Sequence, residues 1–111
     1  MSEVEKTRKQ LKIKAGVAKR LMKEVGMYRK EVEQNQIRLE KLRADGAEEW
    51  DVKNAGLLVA ESEKMVTDSS ERMARAVGEL RDLVVLAKKH PELSSDEEYL
   101  KAEEALEEAA L

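Results

Sequence analysis

Counting by sevens from Val4 meets Leu11, Ala18, Val25, Val32 and Leu39, and counting by sevens from Val52 meets Val59, Val66, Met73, Leu80 and Ala87. An apolar residue returning at that interval holds one stripe of a helix against a partner helix along its whole length, the knobs-into-holes arrangement of coiled coils and bundles. Two long helices are therefore expected. Of 111 residues, 41% are charged and 3% aromatic; so little apolar bulk cannot fill a thick globular core, but it suits packed helical rods.

Punctuation sets the boundaries. Asp45-Gly46 ends a first helix of about residues 2–44, because glycine accepts the left-handed conformation that follows a helix C-terminus. Asp51 supplies the N-cap or a first-turn acid of a second helix, which runs from about residue 49 to His90 and is stopped by Pro91. The stretch Ser94-Ser95-Asp96-Glu97-Glu98 then offers overlapping capping boxes, with Ser95 paired to Glu98. A third helix follows over about residues 95–110, or as far as Leu111, with Tyr99, Ala102, Leu106 and Ala109 or Ala110 on one stripe. Short loops make consecutive helices antiparallel. The expected fold is all-α: an antiparallel up-down-up three-helix bundle with two long helices and a shorter third helix, forming a single domain over residues 1–111.

Charge is sorted along the chain. Residues 1–44 carry 13 basic and 6 acidic side chains, residues 45–90 carry 7 and 10, and residues 91–111 carry 1 and 8. A basic helix and an acidic tail suit either a nucleic-acid arm with a solvating tail or two parts of one fold that neutralise each other, and the second is preferred. The third helix would then lie along the N-terminal half of the first, guided by charge and held by apolar burial, since an exposed ion pair contributes only about 0–1 kcal/mol.

The stripes have weak places. At the d positions the first helix carries Thr7, Lys14, Tyr28 and Asn35 beside Leu21 and Leu42, and the second carries Ala55, Ser62, Ser69 and Ala76 beside Leu83. The middle of the hairpin is expected to be underpacked. Gly16, Gly26, Gly56 and Gly78 fall inside helices, each costing about 1 kcal/mol relative to alanine unless a close backbone approach compensates. Ile13, Met27, Ile37, Leu57 and Val85 lie off the stripe. They are either scattered exposed apolar residues or, on the first helix, the knobs of a partner-binding strip surrounded by Lys9, Lys12, Arg20, Lys23 and Lys30.

The sequence offers no chemistry. His90 is the only histidine, placed to favour a helix dipole. No nucleophile has a base at readable spacing and no glycine-rich phosphate loop follows a strand, so neither an enzyme nor a cofactor is expected. With no cysteine there is no disulfide or thiolate metal site, which fits a reducing cytosol. The start Met1-Ser2-Glu3-Val4-Glu5 has no apolar run, and Ala55–Ala60 and Leu83–Ala87 are far short of the roughly 20 residues of a membrane span, so a soluble, unprocessed chain without membrane contact is expected. Trp50 is expected to pack over the hairpin end, and Met22, Met65 and Met73 to serve the core.

The stretch Leu11-Lys12-Ile13-Lys14-Ala15-Gly16-Val17-Ala18-Lys19-Arg20-Leu21, followed by Lys23-Glu24, Tyr28 and Lys30-Glu31, resembles the opening helix of the tubulin-binding cofactor A family. A second match is similar to that family's turn and second helix in order and spacing. It comprises Asp45-Gly46 with Trp50-Asp51-Val52-Lys53, then Glu61-Ser62, Met65-Val66, Asp68 and Arg72-Met73. The resemblance covers about residues 8–85. It implies a three-helix bundle and a small cytoplasmic chaperone, with an association to the microtubule cytoskeleton, that captures β-tubulin after chaperonin-assisted folding and passes it toward αβ-dimer assembly. Other tubulin-folding cofactors are implied as further partners, and no nucleotide hydrolysis by the cofactor itself. This chain has Thr67 where family members commonly place proline, and Gly26 where a better helix former is expected.

Combining the resemblance with the off-stripe positions, the expected partner-binding residues are Lys9, Lys12, Ile13, Gly16, Lys19, Arg20, Lys23 and Met27. A generic dimerising coiled-coil adaptor shares the heptads but gains nothing from a capped third helix. A nucleic-acid binder would use the basic helix, yet the acidic tail competes with phosphate and aromatic platforms for bases are missing. The heptads leave monomer and homodimer both open.

Overall fold

A computed structural model describes residues 1–110; Leu111, the farthest expected end of the third helix, lies outside the described residues. The fold is all-α, an antiparallel three-helix bundle. Helix α1 spans Glu3–Ala44, α2 spans Glu49–Ala87 and α3 spans Glu97–Ala110, with a 3-10 turn at Pro91–Leu93 between the last two. The described residues contain no strand.

The helix ends follow from side chains and φ angles. Ser2 Oγ accepts the Glu5 amide N–H at 3.1 Å and so caps α1. At the other end Gly46 has φ +67. The Ala47 N–H there reaches back to the Leu42 carbonyl at 3.0 Å and the Gly46 N–H to that of Arg43 at 3.2 Å. This double closure satisfies carbonyls that the helix leaves open, and an L side chain at Gly46 would be strained. Glu49 and Asp51 supply the acids of the first turn of α2.

Three local expectations need correction. Helix α2 stops at Ala87, short of His90. Proline bars the preceding residue from helical backbone, so His90 is extended (φ -111, ψ 96), and the chain leaves the helix through Lys88 and Lys89 by tighter bonds such as Lys89 N–H to the Leu86 carbonyl. His90 therefore starts the 3-10 turn, without a capping bond from its side chain, and does not end the helix. The cap of α3 is Asp96 and not Ser95: Asp96 Oδ1 accepts the Glu98 N–H at 2.9 Å. Trp50 does not cover the hairpin end. It stands two residues before the stripe position Val52, points away from the seam and is 70% exposed.

Contacts group the chain into two compact units, one of Met1–Met22 with Arg72 onward, the other of Lys23–Glu71. In the first unit Leu11, Leu80 and Leu93 are fully buried, and Ala15, Ala18, Ala102 and Ala105 let the three helices approach closely. Helix α3 buries Tyr99, Ala102 and Ala105, while Leu106 and Ala109 are only partly buried, so its stripe is turned toward Ala105. Arg8 Nε meets Asp96 Oδ2 at 2.7 Å across α1 and α3, and Lys14 Nζ meets Glu79 Oε2 at 3.0 Å across α1 and α2.

The second unit is a pair of helical segments with a small apolar cluster: Leu39, Ala55 and Val59, supported by Leu42 and Val52. Beyond that cluster the seam turns polar. Asn35 Nδ2 donates to Ser62 Oγ at 3.2 Å, and the Ser62 hydroxyl donates to the Val59 carbonyl at 2.9 Å. Ser69, fully buried, satisfies its hydroxyl on the Val66 carbonyl. Grooves open along this stretch, one beside Val32 and Val66, the other beside Tyr28, Leu58 and Met65. Helix α2 runs through Thr67 without a break, its hydroxyl donating to the Glu63 carbonyl at 3.3 Å.

Candidate partner-binding surface

Helix α1 displays basic side chains because its seam uses only two positions in seven, leaving the others to solvent. In the first unit Lys9, Lys12, Ile13, Gly16 and Arg20 are exposed and Lys19 is half-buried; Ile13 retains 51% of its surface. In the second unit Lys23 and Met27 are exposed, Met27 at 52%. Of the off-stripe residues, Ile37, Leu57 and Val85 are likewise exposed. So are Leu58, Leu86 and Leu100, which the heptads did not single out.

The expected residues do not form one uniform strip. In the first unit Lys12, Gly16 and Lys19 line a groove of about 240 Å³ whose opposite wall is α3, through Glu98 and Lys101. Lys9 and Lys12, with Arg8, Glu5 and Met1, line an adjoining hollow that also meets Glu98. Ile13 and Arg20 line neither of these hollows. The sequence missed Glu98 and Lys101. Docking of the third helix along the basic half was expected, but its rotation was not legible until Ala105 replaced Leu106 at the centre of its buried stripe.

Ion pairing separates the basic residues. Arg8 is held by Asp96, Lys14 by Glu79 and Lys101 by Glu97 at 2.9 Å. Lys9, Lys12, Lys19 and Arg20 make no ion pair among the described residues, so their charge is available to a partner. Burial pushes the Asp96 carboxyl up, but the hydrogen bond and charge of Arg8 and the amides of Glu98 and Tyr99 outweigh it and hold Asp96 below the ordinary carboxylate value. Burial, with Glu103 beside it, pushes the Tyr99 phenol up.

Among the described residues no group of three or more acidic or histidine side chains is placed to hold a metal ion, and no helix is long and apolar enough to cross a membrane.

Comparison with known proteins gives one family. Residues 6–106 match the family model described as tubulin binding cofactor A. The human tubulin-specific chaperone A is 37% identical over 103 residues, covering 93% of each chain. The structure of human tubulin chaperone cofactor A superposes with a TM-score of 0.80 at 34% identity, covering 95% of this chain and 99% of that one. The crystal structure of tubulin folding cofactor A from Arabidopsis thaliana gives 0.88 at 26% identity, covering 94% and 95%.

Proposed function

The chain belongs to the tubulin-binding cofactor A family, and from that premise we propose that it is a tubulin-folding chaperone that acts by binding and not by catalysis. In this reading it captures β-tubulin in preference to α-tubulin after chaperonin release and passes it toward assembly of the αβ heterodimer, alongside other tubulin-folding cofactors in the cytoplasm. What carries the reading is the family match across nearly the whole chain, joined to a surface on α1 whose basic side chains Lys9, Lys12, Lys19 and Arg20 are without internal partners. Lys12, Ile13, Gly16 and their neighbours in the first unit, and Lys23 and Met27 in the second, are the residues assigned to tubulin. Apolar knobs within a basic surround suit an acidic partner that still exposes apolar surface.

The test is capture of chaperonin-released tubulin by the immobilised chain. We expect β-tubulin to be retained more than α-tubulin, with retention falling as salt rises. Ile13→Glu with Met27→Glu should weaken capture and leave circular dichroism unchanged, since both side chains are exposed. Leu11→Glu should unfold the first unit, because it puts a charge where no surface is accessible. Retention of no tubulin by the unmodified chain would overturn the chaperone reading in favour of a coiled-coil adaptor. Sedimentation at two concentrations decides between monomer and homodimer.

A further inference from the structure

Gly16 lines the groove between α1 and α3. A glycine inside a helix is unfavourable relative to alanine, and such a cost is normally offset where another backbone packs closely. Among the described residues none does so: a Cβ at Gly16 would meet no atom within 4 Å, as is also true at Gly26, Gly56 and Gly78, but Gly16 lines the α1–α3 groove. The space lies over the buried Ala15, between Lys12 and Lys19 on one side and Glu98 and Lys101 on the other. It joins the hollow lined by Arg8, Lys9 and Lys12, because Lys12 and Glu98 line both. The result is a trough along the α1–α3 junction with a floor of small residues.

Its charge is defined by what the fold leaves unpaired. Arg8 and Lys101 are engaged by Asp96 and Glu97, Glu98 contributes one negative charge and Glu5 lies at the far end, while Lys9, Lys12 and Lys19 have no ion-pair partner among the described residues. Lys12 and Lys19 are seven residues apart on one helix, about 10 Å along its axis. An extended peptide covers that distance in about three residues. A helix would be too broad to reach a floor at Gly16, whereas an extended backbone can lie against it.

We infer that the trough between α1 and α3 binds an extended acidic peptide segment, its carboxylates meeting Lys9, Lys12 and Lys19 while its backbone passes over Gly16. The identification of that segment as part of tubulin rests on the function proposed above; the chemistry of the trough does not.

The probe is a ten-residue peptide of alternating glutamate and glycine, titrated into the full chain at low salt by calorimetry, with a lysine-glycine peptide as control. Lys12→Gln with Lys19→Gln should weaken binding roughly fivefold, as expected for loss of two exposed charge contacts. Gly16→Leu should weaken it by a similar factor while raising the melting temperature, because leucine improves the helix and occupies only open space. That pairing of lost binding with gained stability separates occlusion from damage. The inference is overturned if Gly16→Leu binds the peptide as well as the unmodified chain does. It is equally overturned if Lys30→Gln with Lys53→Gln, both in the second unit, lowers binding as much, since the attraction would then be general. Tubulin capture without peptide binding would reject the trough and leave the chaperone reading standing. Peptide binding that Gly16→Leu abolishes, with tubulin capture intact, would support the trough and detach it from tubulin.

Discussion

Asp96 caps α3 through the Glu98 amide and ties that helix to α1 through Arg8. Because its carboxyl is held below the ordinary value, the stability it contributes is fully present above the unfolded carboxylate pKa of about 3.9. It is lost as pH falls through the lower folded value. Asp96→Asn keeps a cap acceptor but loses the charge that Arg8 meets, so it should melt below the unmodified chain at pH 7, with the gap closing under acid conditions. Asp96→Ala loses the cap as well, a further cost of about 1 kcal/mol. Thermal melts at pH 7 and pH 3 check both, and a gap that persists in acid would mean that the charge pairing contributes nothing. This residue also marks a limit of sequence reading. The capping motif at Ser94–Glu98 is local and was legible, but the choice of Asp96 over Ser95 is made alongside Arg8, 88 residues away.

At the scale of elements, heptads announced α1 and α2 because their apolar positions recur along nearly the whole of each helix, and Gly46 announced the end of α1, whereas α2 ends at Ala87, before the His90 that Pro91 suggested. What escaped was Leu93. It is fully buried although it lies outside any helical stripe, because the 3-10 turn that Pro91 opens directs it into the core of the first unit. Removing everything after His90 would strip Leu93, Tyr99, Ala102 and Ala105 from that core. Burial of a leucine or tyrosine contributes at most about 1.5–3 kcal/mol each, against a total that for small domains is about 5–15 kcal/mol. The truncated chain should remain partly helical by circular dichroism but melt earlier and over a broader range. An unchanged melt would mean that α3 is an appendage.

For the molecule as a whole, the two units differ in what holds them. The first buries a continuous cluster drawn from three helices, whereas the second relies on Leu39, Ala55 and Val59 and then on the Asn35–Ser62 pair. Amide hydrogens of Tyr28–Asn35 and Leu58–Thr67 should therefore exchange faster than those of Leu11–Ala18 and Leu80–Ala87, as local opening is easiest where few apolar contacts must break. Equal protection by mass-spectrometric exchange would contradict this. The family and its bundle were legible from two separated motifs. The trough at Gly16 was not, since a lone glycine in a helix gives no sign of which neighbour leaves it uncovered.

Trp50 decides how such experiments can be watched. The only indole of the chain stands in the first turn of α2 and is already in water when the protein is folded. Its emission should barely shift when the helices melt, so a fluorescence trace would report a stable protein as already unfolded or an unfolding one as unchanged. The buried Tyr99 is the chromophore that senses the core of the first unit, and near-ultraviolet absorbance there should follow melting. Against that silent background, a blue shift of Trp50 on adding a partner would report that the partner covers the hairpin turn.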